Sequence, residues 1–113
     1  MTTLILVRFY LIESDIQEGG IAIDKIGNLI DHLVVLREKS IKEYWKIPEY
    51  LEVSIKFDFK DESDLDVKFI EIVNLLGNGW IFSNDINDKS AVWNLGLDNN
   101  FCVPKTQWAI VQI

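Results

Sequence analysis

One cysteine, one histidine and two prolines in 113 residues remove several possibilities at once. A lone Cys102 cannot form an intramolecular disulfide, and beside Phe101 and Val103 it reads as a small buried hydrophobe in a reducing compartment. One histidine and one cysteine cannot supply the usual zinc ligand sets. His32 has no second group placed near it by spacing, as acid–base work requires. No Pro/Gly/Ser linker, internal repeat or low-complexity tract divides the chain, so residues 1–113 are expected to form a single domain. Long apolar runs are also missing. The longest begins at Leu4 and meets Arg8, too short to span a bilayer, and Met1-Thr2-Thr3 lacks the basic start of a signal peptide. The expected location is the cytoplasm.

Basic residues are scarce. Eighteen acids against eleven bases leave a formal charge of −7. Such a field repels nucleic acid and anionic lipid and attracts basic protein surfaces. The charge is uneven. Residues 13–31 hold five acids and one lysine, and residues 58–71 hold six acids and two lysines.

The apolar pattern predicts the elements. Residues 3–12 form a largely buried strand. After Gly19-Gly20 breaks the chain, Ile23, Ile26, Ile30, Leu33 and either Val34 or Leu36 recur at helical spacing, giving a helix over 21–39. Asp24 near its start and Arg37 and Lys39 near its end suit the helix dipole. Residues 41–50 read as a loop or short irregular strand. From Leu51 to Lys60 apolar and polar residues alternate strictly, the mark of a strand with one wet face. A second helix runs over 64–76, with Ser63 as N-cap, Asp66 as its capping-box partner and Gly77 at C′. Three short strands follow at 80–83, 91–95 and 108–113, separated by turns at 84–90 and 96–100. Residues 101–103 extend one of these strands before Pro104 ends it. The order β-α-β-α-β-β-β gives an α+β fold: an antiparallel or mixed sheet of about five strands with two helices packed on one face. The other face is where a partner is expected.

Chemistry-bearing motifs do not emerge. Asp58, Asp61, Glu62, Asp64 and Asp66, and then Asp85-Ile86-Asn87-Asp88, lack the Gly and closing Glu of an EF-hand loop. Gly77-Asn78-Gly79 follows a helix, whereas a phosphate loop precedes one. Eighteen acids make many carboxylate pairs and select none. No enzyme activity, metal or cofactor is expected. What stands out instead is three of the four tryptophans (Trp80, Trp93 and Trp108) in the last third, beside acidic loops. Aromatic anchors with flanking carboxylates are what a protein interface on a basic partner requires. The expected partner-binding residues are Asp85, Asp88 and Asp98 with Trp80 and Trp93, then Asp61, Glu62 and Asp64. Tyr44 and Trp45, between Lys42 and Lys46, form a second aromatic patch.

In its general character (acidic balance, isolated cysteine, and loops such as Trp80-Ile81-Phe82-Ser83-Asn84-Asp85 and Trp93-Asn94-Leu95-Gly96-Leu97-Asp98) the chain resembles the immunity proteins of contact-dependent growth inhibition. These share no motif, so the resemblance assigns no residue. It implies a monomer that binds a cognate basic toxin domain one to one, often a nuclease such as an RNase, and covers its active cleft. A ferredoxin-like small-molecule-binding or regulatory domain is the rival expectation, and a carboxylate hydrolase the third.

Overall fold

The computed structural model describes residues 3–13, 15–85 and 87–113. Met1 and Thr2 of the start, and Ile86 of the acidic turn, lie outside the described residues.

Strand β1 (Leu4–Ile12) alternates strictly: Ile5, Val7, Phe9 and Leu11 are buried, while Leu6, Arg8 and Tyr10 face the other way. β3 (Ile47–Phe59) does the same with Leu51, Val53, Ile55, Phe57 and Phe59. A side-chain period of two places each apolar set on one face, and helices α1 (Ile16–Ile30) and α2 (Leu65–Leu76) cover it with Ile23, Ile26, Ile30, Phe69, Ile72, Val73 and Leu76. β2 (Val34–Tyr44), β6 (Ser90–Asn94), β8 (Thr106–Gln112) and the two-residue β5 (Ile81–Phe82) complete a six-stranded sheet in the order β2-β3-β1-β8-β6-β5. Every pairing is antiparallel. A two-stranded ribbon, β4 (Gly77–Asn78) with β7 (Asn100–Phe101), stands apart. The α+β class is as expected, with a sixth strand and this ribbon added.

The β1-α1-β2-β3-α2-β8 path with spatial order β2-β3-β1-β8 is the split β-α-β, ferredoxin-like arrangement. Residues between α2 and β8 form the ribbon and the β5–β6 pair, which widens the sheet beyond β8.

The first helix differs from the reading over 21–39. It starts at Ile16, soon after β1 ends at Ile12, where Asp15 Oδ1 accepts the Gln17 amide at 2.9 Å and Glu18 lies in the first turn. It ends at Ile30, and Val34 to Tyr44 is a strand. Leu33, Val34 and Leu36 continue the helical spacing by coincidence, whereas the β-branched Val34-Val35 pair favours extended backbone. Residues 41–50 follow the irregular-strand alternative rather than the loop. They make the tight β2–β3 hairpin, in which Tyr44 pairs with Ile47 around Trp45-Lys46. The outer edge of β2 carries Arg37, Glu38, Lys39, Lys42 and Glu43 and a register shift between Leu36 and Glu38, features that discourage edge-to-edge pairing.

Gly19-Gly20 sits inside α1 rather than breaking the chain. A methyl group on Gly20 or Gly27 would meet nothing within 4 Å, and neither has positive φ. Replacing both by alanine is therefore expected to add about 1–2 kcal/mol. A thermal melt should show this as a rise of about 4–8 °C, and an unchanged or lower Tm would contradict the helix placement.

The second helix also starts differently. Its N-cap is Asp64, in left-handed backbone (φ 53°) and making no side-chain cap. Ser63 instead gives its amide and hydroxyl to Asp61, at 3.0 and 2.8 Å, in a local turn that competes with capping. Gly77 is extended, not left-handed, and is required for another reason. A Cβ there would lie 2.3 Å from the Asn100 carbonyl oxygen across the ribbon.

Candidate functional site

Three surfaces of this scaffold carry the residues of interest. The first is an end of the sheet. Leu4 pairs with Asp58, and Gln112 pairs with both Leu6 and Ser90, so the segment after β3 and the β5–β6 loop emerge at the same end. Asp61, Glu62, Asp64 and Asp66 come from the former, Asp85 and Asp88 from the latter, and all are exposed. Lys89 Nζ, 3.1 Å from Asp66 Oδ1, ties the loop to α2. Residues 58–68 and 83–90 together hold seven carboxylates against three lysines, a net of −4 out of the chain's −7. Two carboxyls here are held below their usual range. For Asp61 the cause is the Ser63 amide and hydroxyl, then Lys68; for Glu62 it is the Thr3 amide and hydroxyl. Asp85 and Asp88 brace their own loop, accepting from the Asn87 amide at 2.9 Å and the Ser90 hydroxyl at 3.1 Å. A shallow hollow between loop and helix is floored by Phe69, Ile70 and Phe82.

Asp98 does not join them. It lies in the loop after β6, where the Leu95 amide bonds to the Gln107 carbonyl at 3.1 Å, so it belongs to the opposite end of the sheet.

The tryptophan assignment is corrected by burial. Trp93 is only 2% exposed, and its Nε1 donates to the Asn78 carbonyl at 2.8 Å, pinning the ribbon against β6. Trp93 is core, not a surface anchor. Trp80 is half-buried and meets Phe101 edge-on at 6.0 Å; its Nε1 is buried with no hydrogen-bond partner among the described residues. Phe101 also touches Phe9 and Trp93, each at 5.6 Å, so these rings form one aromatic block inside the fold.

Another group of rings, half-buried at Tyr10, Tyr44, Tyr50 and Trp108, sits on the sheet face the helices leave open. Here Tyr10 lies 4.6 Å from Tyr44 and 5.2 Å from Trp108, centroid to centroid. With Ile47 and Tyr50 they line a cleft of about 260 Å³. Glu52, opposite Tyr10 on β3, is in reach of Lys42 Nζ at 3.6 Å. Burial, and then the Glu52 carboxylate, pushes the Tyr10 hydroxyl above its ordinary value. At the hairpin tip Trp45 is 77% exposed, with Lys46 Nζ 5.1 Å from its ring centroid. Farther along this face Arg8 Nε donates to Ser54 Oγ at 2.9 Å, and Lys56 lies 3.6 Å from Glu38. The Tyr44–Trp45 patch was visible in the sequence. Trp108 was conspicuous there too, whereas Tyr10 and Tyr50 were not, because strand order alone brings β1, β2, β3 and β8 side by side.

The third surface is a cavity of about 300 Å³ beside α1, lined by Leu11, Ala22, Val103 and Pro104 with Glu13, Glu18, Lys25 and Lys105. Lys105 is left-handed (φ 68°) and its Nζ is 3.1 Å from Glu13. Cys102 is nearby, and burial pushes its thiol up to about 11. At pH 8 labelling by a thiol reagent is expected to be slower than for free cysteine by about a hundredfold, in step with its smaller thiolate fraction. A free-cysteine rate would show the thiol is not desolvated.

His32 pairs with Glu71 at 2.8 Å on the surface. Among the described residues no three His, Cys, Asp or Glu side chains converge as metal ligands, and no helix is long and apolar enough to cross a membrane. In comparison with known protein families, curated proteins and solved structures, the chain matches none.

Proposed function

We propose that this chain is an immunity-type inhibitor. It acts in the cytoplasm as a monomer when free, and binds one cognate basic toxin domain, a nuclease of RNase type, by covering its active cleft. The observation that carries this reading is the convergence of two acidic segments, 58–66 and 85–88, on one end of the sheet. A cleft built to hold phosphates presents lysine and arginine, and exposed carboxylates steer toward it and exclude the substrate. Rim charges of this kind act mainly on the association rate, so binding should weaken as salt rises.

Co-expression with the C-terminal domain encoded immediately upstream, followed by size-exclusion chromatography, tests the reading. A one-to-one complex with rescue of growth supports it; no complex and no rescue overturns it.

One observation favours a second reading, a small-molecule-binding domain: the cavity between α1 and the segment before β8, with paired charges over an apolar floor. That reading calls for ligand-dependent thermal shifts in a screen of small zwitterions.

A further inference from the structure

We propose that the cleft formed by Tyr10, Tyr44, Tyr50 and Trp108 is a cage for an arginine side chain of the partner protein. This partner assignment rests on the inhibitor reading, but the site is independent of the acidic end. Three features select the occupant. The walls are aromatic rings, whose faces attract cations, and the guanidinium plane stacks on such faces better than an ammonium does. Opposite Tyr10 on β3, at the border between this cleft and an adjoining hollow lined by Arg8, Lys42 and Lys56, Glu52 offers a carboxylate, its side chain 13% exposed. Its present partner, the exposed Lys42, stands 3.6 Å away, beyond hydrogen-bond distance, so a bidentate guanidinium can displace it. An apolar occupant would instead bury that carboxylate further without satisfying it. The rest of the chain agrees in sign, with a net charge of −7.

The hairpin already uses the same contact internally, where Lys46 rests on Trp45. Burial, and then the Glu52 carboxylate opposite it, raises the Tyr10 hydroxyl above its ordinary value, so the ring that faces the occupant stays neutral.

The test is a titration of the intact protein with the capped tripeptides Gly-Arg-Gly, Gly-Lys-Gly, Gly-citrulline-Gly and Gly-Leu-Gly, followed by NMR. The ring protons of Tyr10, Tyr44 and Tyr50 and the Trp108 indole are the reporters. The arginine peptide is expected to bind in the millimolar range with shifts confined to these rings, and the citrulline peptide about three- to tenfold more weakly. Glu52→Gln should lower arginine affinity by a similar factor, and Asp85→Lys with Asp88→Lys should leave it unchanged. Leucine or citrulline binding as well as arginine would overturn the cage, as would lysine matching arginine, or no shifts at all. A failed titration with growth rescue intact removes the cage alone. An intact titration without rescue removes the inhibitor reading alone.

Discussion

Truncating Trp93 to alanine is expected to destabilise the fold by about 3–5 kcal/mol, a fall in Tm of roughly 12–20 °C for a chain of this size. The side chain is almost wholly buried, touches Phe101 at 5.6 Å and gives its indole proton to the Asn78 carbonyl. Removing it leaves a cavity between β6 and the ribbon and takes the indole donor away from the Asn78 carbonyl, a part-buried bond. Because the Cys102 amide bonds to Leu76 and the Asn100 amide to Asn78 Oδ1, loosening the ribbon also frees the C-terminal end of α2. Denaturant melts would read the loss directly. A change of less than about 1 kcal/mol would mean that the indole is replaceable by local collapse. The conservative Trp93→Phe separates the two contributions, keeping much of the volume and losing the hydrogen bond.

Reversing two charges at the acidic end, Asp85→Lys with Asp88→Lys, should raise the Kd for a basic partner domain at least about tenfold at low salt. The difference should shrink as ionic strength rises, since exposed charges are screened beyond a Debye length of about 10 Å at 0.1 M. Both carboxylates are exposed, and the bonds they make within their own loop are surface bonds, so Tm should hardly move. Unchanged affinity in a protein that still rescues growth would move the contact surface elsewhere, with Asp61, Glu62 and Asp64 the first alternatives. Asp98 serves as the internal control. Its reversal changes net charge by the same amount per residue, but at the other end of the sheet. Equal effects from Asp98 and Asp85 would show that net charge matters and the acidic end does not.

How much of this was legible in the sequence depends on how local the physics is. β3 was readable because its alternation from Leu51 to Phe59 is complete, and α2 because its stripe of Phe69, Ile72, Val73 and Leu76 has no competing period. The first helix was misplaced because three glycines lower its propensity, while Val34 and Leu36 extend its spacing beyond its true end. The tryptophans mark the limit more sharply. Local sequence cannot tell an indole that fills a core from one that stands in water. Trp93 stands between Val92 and Asn94 and Trp45 between Tyr44 and Lys46, each with one apolar or aromatic and one polar neighbour, yet one is 2% exposed and the other 77%.

By itself, then, the sequence determined the α+β class, the charge of −7, the alternating face of β3, and the absence of the residue types that most metal and thiol chemistry needs. These follow from composition and from periods of two or 3.6 residues, which act over one element at a time. Tertiary structure alone decided that two acidic segments about twenty residues apart share one end of the sheet while Asp98 does not, and that Tyr10, Tyr44, Tyr50 and Trp108 from four segments close one cleft. Both depend on strand order and register, which arise when a sheet buries one face against two helices and leaves the other to solvent.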